Sequence, residues 1–507
     1  MIKIGWEKRD ISTDKPIVIS GQSYIRFNKG VMDPCKATAL TLDDGNDYVI
    51  FVTLDMVTIY KPVLCAVRDR VTEKNPSIDT EKIILNATHT HAGPFVNEGD
   101  DLGGWGKLSD LPHDGIEITP PGEYFEFFIE QVSDAICESF ESRKEGYISY
   151  GYGYAVASHN RRAVYNRDMT EGSEDKGFRF TEGTTKMYGT TSIPEFTHLE
   201  TGADHYANFM FTYDKDEKLT GAVVNIPCPS QNMELEYYLS ADFWGDVRQM
   251  INEKYGDINI LPQCAAAGDL APRPRYYDKA EARRFKLKYA DVKIPEDLIN
   301  PSEIYRRKEI ANQICAAFDD VYEWASKEKF SDVPVKHSIK TVELEKRMIT
   351  EEEYEYYSNR PKYEAKELYN TDDKIYDLKW NSIEISRRND KNTIVERYNS
   401  QKENPTLPME MHVIKVGNIA FATNQFELYM DFAHRIQARS PFEQTFIVQL
   451  CGQPGRRNGT YLATERAVKG RGYSANLFSN VVSPEGGQTL VEETLTVLNE
   501  LYDANEN

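Results

Sequence analysis

A chain of 507 residues, 40% hydrophobic and 28% charged, has enough length to bury a large core over about two to four domains. No apolar run nears the roughly 18 residues that span a bilayer, and 31 Tyr with 22 Phe exclude a largely disordered chain. Lys and Arg total 60 against 81 Asp and Glu, and the net charge of −21 repels phosphate backbones, which excludes a general nucleic-acid binder.

The N-terminus lacks the basic, apolar and small-residue regions of a secretory signal, so a cytoplasmic location is expected, although a trimmed secreted chain would read alike. Ile2 to Trp6 reads as a first strand. Tyr48 to Leu54 and Lys82 to Leu85 are short β-rich runs, and Pro62 to Glu73 between them has helical spacing. Gly122 to Arg143 puts Tyr124, Phe128, Val132 and Ile136 on one stripe and predicts a core helix. Asn208 to Thr212 and Thr220 to Ile226 read as paired strands, Asp242 to Lys254 as a helix and Ile258 to Leu261 as a strand. From Arg273 to about Pro408 the charge density rises and Tyr recurs, which reads as a charged helical insertion. Strands return at Met411 to Val416, Ile419 to Thr423 and Phe446 to Leu450, with helices at Gln425 to Ala438 and Gln488 to Tyr502. The expected fold is α/β (α+β), a mixed β-sheet core with flanking helices. A catalytic region would run over 1–272 and 409–507, with 273–408 inserted. Seven scattered cysteines without a CxxC suit reduced thiols better than a disulfide framework.

Four places could carry metal chemistry. His89-Thr90-His91 follows a strand, where the two imidazoles ligate a metal and handle a proton, or simply fill a hydrogen-bonded loop. Cys228 sits between Pro227 and Pro229 after another strand, as a thiolate ligand or as a buried thiol. Glu427 stands at a strand-to-helix junction, where taken alone it closes a capping box with Asn424. Tyr461 follows the Gly-rich stretch Gly455-Arg456-Arg457-Asn458-Gly459.

The order of these pieces resembles the neutral/alkaline ceramidase family, in its N-terminal catalytic domain. His89-Thr90-His91-Ala92-Gly93-Pro94 and Gly268-Asp269-Leu270-Ala271-Pro272 carry most of the resemblance. Asp10-Ile11-Ser12-Thr13, Gly30-Val31-Met32-Asp33-Pro34, Asn160-Arg161 and Gly472-Tyr473 are similar to further family elements. The likeness spans roughly residues 1–275 and 408–502.

The resemblance implies a Zn2+-dependent hydrolase of an N-acyl amide, with His89, Cys228, Glu427 and Tyr461 as ligands. It also implies His91 near the chemistry and an Asn160-Arg161 pair beside the substrate; Asp269 is a further catalytic candidate and Arg273 a further substrate-binding candidate from their places next to the motifs. Zinc would lower the pKa of its water towards ~7, and His91 would pass a proton to the leaving group. Asp269 and Asp55 are candidates to orient ligand imidazoles or to serve as turn residues. Arg161-Arg162, Arg273 with Arg275, and Arg456-Arg457 suit an anionic substrate group or surface ion pairs. Two positions depart from the family: Cys228 stands where it has a second histidine ligand, and Ala271 where it has a serine. The expected substrate is therefore a lipid-like or anionic small molecule, and the expectation does not extend to ceramide itself. An ester or lactone hydrolase using the same site, and a non-catalytic ligand-binding homologue, are the alternative readings.

Overall fold

The computed structural model describes residues 1–170, 182–359, 368–453 and 461–504. Unbroken apolar runs form strands where both faces of a sheet are covered. Tyr48–Leu54 is such a run and lies within an eight-stranded sheet. Its strands follow in the spatial order Asn259–Cys264, Leu219–Ile226, Tyr206–Asp214, Lys144–Tyr154, Lys3–Asp10, Lys36–Asp43, Tyr48–Leu54 and Ile83–Ala87. The outermost pair at each edge is parallel, and the pairs between are antiparallel.

A four-stranded sheet packs against it, in the order Val335–Glu345, Thr406–Val416, Ile419–Thr423 and Gln444–Val448. Strand alternation sorts the side chains: Val49 and Phe51 face this second sheet, while Ile50 and Val52 face helices. The Phe51 and Phe421 rings meet at 4.8 Å across the seam. Helices Lys61–Lys74 and Pro121–Glu141 cover one half of the outer face of the large sheet. Phe243–Tyr255 and Ser302–Ala325 cover the other half. Met430–Gln437 and Pro484–Asp503 cover the back of the second sheet. The result is four layers: helix, sheet, sheet, helix. No helix among the described residues is long and apolar enough to cross a membrane.

Two expectations need correction. The segment 273–408 contains helices, but also the 11-residue strand Val335–Glu345, which pairs along its whole length with Thr406–Val416. Its longest early helix, Ser302–Ala325, belongs to the outer layer of the large sheet. The expected Gln425 to Ala438 helix begins only at Met430, and Glu427–Leu428 instead forms a short parallel ladder with Tyr461–Leu462. The central strand Lys144–Tyr154 has no apolar run to announce it. Its glycines admit the helix packed on them, and a Cβ on Gly151 would fall 2.3 Å from the Trp324 ring.

The seam also carries a buried polar chain. His337 Nε2 lies 2.9 Å from His412 Nδ1, and His412 Nε2 lies 3.0 Å from Glu410 Oε1, which Arg68 also reaches at 2.8 Å. Burial by itself would raise the Glu410 carboxyl, but hydrogen bonds from His412 and Arg68 outweigh it and hold it at about 2. A carboxyl whose folded pKa lies below its unfolded value stabilises at neutral pH, and that contribution disappears as pH falls towards the folded value. The difference corresponds to about 3 kcal/mol. Urea unfolding at about pH 7 and about pH 3 should therefore show a smaller acid-induced loss of stability in Glu410→Gln than in the parent.

Candidate functional site

Ligand sites in open α/β sheets gather beyond the carboxyl ends of parallel strands. Three such ends converge here. Thr88 and His89 follow Ile83–Ala87, the turn Pro227 to Gln231 follows Leu219–Ile226, and Asn424 to Glu427 follows Ile419–Thr423. Both sheets therefore contribute.

His89 has a left-handed backbone, φ 63°, a strained conformation for a residue with this side chain. The turn aims Nδ1 at the Val57 carbonyl, 2.7 Å away. A carbonyl only accepts, so Nδ1 donates and Nε2 is the ring nitrogen that faces the cluster. Nε2 lies 3.3 Å from Glu427 Oε2 and 3.3 Å from His91 Nε2. His89 is 4% exposed and Glu427 7%.

Asn424 accepts from the Phe426 backbone N–H at 3.0 Å, so it shapes an Asx-turn and the capping-box reading falls. The turn delivers Glu427 into register with Tyr461. Gly268 lies directly beneath: a Cβ there would sit 2.3 Å from the Glu427 carbonyl oxygen. Burial pushes the Glu427 carboxyl up, and His89, Arg161 and a hydrogen bond from Tyr461 bring it below the usual range. The Tyr461 phenol is held well above its ordinary value by burial and by Glu427. Tyr473, 57% exposed, packs edge-on against Tyr461 at 5.6 Å between ring centroids and marks the side of the cluster open to solvent.

Arg161 is 1% exposed and lies 3.7 Å from Glu427 Oε2. Its guanidinium donates to Tyr188 Oη at 2.6 Å, the Gly268 carbonyl at 3.0 Å, Gln231 Oε1 at 3.2 Å and Tyr461 Oη at 3.4 Å. His91 lies between this network and Glu234, with Nδ1 3.7 Å from Glu234 Oε2. Burial, then His89 and three arginines, push its imidazole well below the usual histidine range, so the ring is neutral.

The remaining sequence candidates lie elsewhere. Cys228 is fully buried in the core beneath the large sheet, and its Sγ donates to the Ala157 carbonyl at 3.2 Å. Burial pushes the thiol well up, as expected of an inert core cysteine. Alkylation mapped by mass spectrometry should leave Cys228 unmodified in the native chain, and Cys228→Ala should cost about 1 kcal/mol in stability. Asp269 touches no imidazole. It accepts from the Met430 backbone at 3.1 Å, Thr201 at 3.2 Å and Asn160 at 3.4 Å, and burial raises its carboxyl to about 6. Because its own carbonyl accepts from the Arg161 backbone at 3.1 Å, Asp269 ties the Asn160-Arg161 segment to the chain after Glu427. Asp55 is paired with Arg248 at 2.6 Å. Arg273 is neutralised by Glu234 and by Glu303 at 2.9 Å, so its charge is already satisfied internally. Ala271 is buried opposite His159 in a short ladder. Arg456 and Arg457 lie outside the described residues.

Sequence reasoning missed Gln231 and Tyr188. Gln231 ends the turn that carries Cys228, and it is this amide that reaches the cluster, 3.0 Å from His91 Nε2. Tyr188 comes from a separate short hairpin region with no motif of its own.

Among the described residues no group of three or more His, Cys, Asp and Glu side chains is arranged to hold a metal ion. The cluster gathers the His89 and His91 imidazoles, the Glu427 carboxylate and the Tyr461 phenol, with Arg161 as its resident cation.

No protein-family model and no curated protein sequence matches the chain. Solved structures do. A neutral ceramidase from Pseudomonas aeruginosa superposes with a TM-score of 0.65 at 16% identity, over 98% of this chain and 75% of the other. A ceramidase complexed with C2 superposes with a TM-score of 0.62 at 14% identity, over 99% of this chain and 75% of the other. Over nearly its whole length the chain has the neutral ceramidase fold.

Proposed function

We propose that the chain is a ceramidase-like hydrolase that cleaves an N-acyl amide of a lipid-like small molecule, with zinc held by His89, Glu427 and Tyr461. The observation that carries this reading is a buried convergence of donor atoms: His89 Nε2 lies 3.3 Å from Glu427 Oε2, and the Tyr461 phenol hydrogen-bonds the same carboxylate. The donor types suit zinc, three protein ligands leave one position open, and that count is typical of catalytic rather than structural zinc. Cys228 is not part of this set.

Zinc bound there supplies Lewis acidity and a water of lowered pKa. The chain's own residues do the rest. The Val57 carbonyl fixes the His89 tautomer and ring direction, as partners of ligating imidazoles commonly do. Arg161 holds the Glu427 and Tyr461 oxygens in place and adds a permanent positive charge where a carbonyl oxygen would gain negative charge. Burial of His89, Glu427, Tyr461 and Arg161 keeps bulk water away and strengthens these interactions.

The test is a panel of N-acyl amides of graded acyl length beside matched esters, run on zinc-loaded and on chelator-treated chain. Amide turnover that depends on zinc is expected. Undiminished amide turnover after chelation, or turnover of esters alone, overturns the reading.

A further inference from the structure

Charges taken out of water are ordinarily paired. Arg162 meets Glu200, Arg273 meets Glu234 and Glu303, and Arg307 meets Asp33 and Asp246. Arg347 and Arg397 break this pattern: neither forms an ion pair with a carboxylate among the described residues, in a chain with 81 Asp and Glu. Arg347 follows the strand Val335–Glu345, and Arg397 lies in the last turn of the helix Lys374–Ser400. Both grip the loop after Tyr473. Arg347 Nη1 donates to the Ala475 carbonyl at 2.9 Å and to Asn480 Oδ1 at 3.1 Å. Arg397 donates to the carbonyls of Leu477 at 2.6 Å, Asn480 at 3.0 Å and Arg347 at 3.1 Å, so two like charges are held together.

These bonds leave donors over. Arg347 uses only Nη1, and its Nε and Nη2 have no hydrogen-bond partner among the described residues. Both arginines line a cavity of about 350 Å³, where Lys346, Arg347 and Arg397 outnumber the acidic Glu396. That volume falls in the range of small-molecule sites. Burial lowers both guanidiniums, that of Arg397 to about 10; Glu353 partly offsets this in each, while Arg471 depresses Arg347 and Arg347 depresses Arg397. Arg26 also lacks a carboxylate, but it is fully buried and donates to the carbonyls of Glu236, Ser20 and His91, so nothing from outside reaches it. What distinguishes Arg347 and Arg397 is uncompensated charge beside open space.

We propose that this cavity binds a phosphate-type oxyanion, either free phosphate or the phosphate group of a small organic ester, through Arg347 and Arg397 with Lys346 adding charge. Guanidinium donors match phosphate oxygens in geometry as well as in charge. The grip of both arginines on the loop fixes one wall of the cavity before a ligand arrives, which reduces the ordering cost of binding. The site shares no side chain with His89, Glu427 and Tyr461, and it does not rest on the hydrolase reading.

Calorimetric titration of the full chain with inorganic phosphate, and separately with glycerol 3-phosphate, tests the site. Saturable binding is expected at low salt, weakening as salt is added. Arg347→Gln should weaken it about 10–100-fold through the loss of charge-assisted hydrogen bonds. That change also frees the Ala475 carbonyl, so Ser400→Glu is the second variant. Ser400 lines the cavity and its hydroxyl bonds only carbonyls of its own helix, at 2.8 Å for Glu396, so both arginines stay in place. The added carboxylate should weaken binding about 10-fold or more by repelling the anion. Tighter binding of glycerol 3-phosphate upholds the site as one for an organic ester, and equal or weaker binding upholds it as one for the free ion. No saturable binding of either probe to the parent, or undiminished binding in either variant when folded, overturns the proposal.

Discussion

His89→Ala should abolish both zinc retention and hydrolysis. The imidazole is the ring that faces the Glu427 carboxylate, at 3.3 Å, whereas His91 Nε2 meets the Gln231 amide at 3.0 Å. Its removal leaves one carboxylate and one phenol beside a guanidinium 3.7 Å from that carboxylate. Arg161 then satisfies Glu427 by itself and repels any arriving cation. Metal analysis should find about one zinc per parent chain and background levels in the variant. Loss of kcat/KM should exceed the about 10–100-fold that changes behind a ligand bring. Cys228→Ala is the matched control and should retain zinc, because the thiol points to Ala157. Full metal content in His89→Ala, or loss of metal in Cys228→Ala, would put the centre elsewhere.

Arg162→Ala should be the most destabilising single change in the neighbourhood, by about 3–5 kcal/mol. Arg162 is fully buried and meets Glu200 through two nitrogens, at 2.8 and 3.2 Å. Its other donors hold the carbonyls of Arg471 at 2.7 Å, Tyr473 at 3.1 Å and Ala467 at 3.2 Å. Truncation strands a buried carboxylate and frees three carbonyls, and an unpaired buried charge is the larger of the two penalties. Urea midpoints at neutral pH measure the loss. Replacing Arg162 and Glu200 together by Met and Leu should recover the charge part only, because the carbonyls still lack donors. A loss below about 1 kcal/mol in Arg162→Ala would contradict this account.

Sequence patterning located the strands that are buried on both faces. Tyr48–Leu54 and Ile419–Thr423 are apolar from end to end and are found where the runs predict. It failed where packing, not hydrophobicity, makes the strand. Lys144–Tyr154 alternates Gly with Tyr because a helix lies on the glycines, and Val335–Glu345 is charged because much of it faces solvent. The site shows the same division. His89 and Glu427 stand just beyond strands that the runs mark, Arg161 and Tyr461 stand out by a family-like Asn-Arg pair and a Gly-rich stretch, and the structure brings the four together. Cys228 occupies the right turn, but its thiol points into the core, and the next polar side chain long enough to reach the cluster is Gln231. A glutamine three residues past a cysteine carries no signature, since its role depends on Arg161 and Tyr188 from other parts of the chain.

The cluster draws on both sheets: His89, Arg161 and Gln231 precede residue 273, whereas Glu427 and Tyr461 follow residue 408. Neither half of the polypeptide contains a working set. Two fragments produced separately would be inert, and turnover on mixing would report their reassembly across the seam where Phe51 meets Phe421. On the proposed reading, turnover would thus report how well the two sheets are joined.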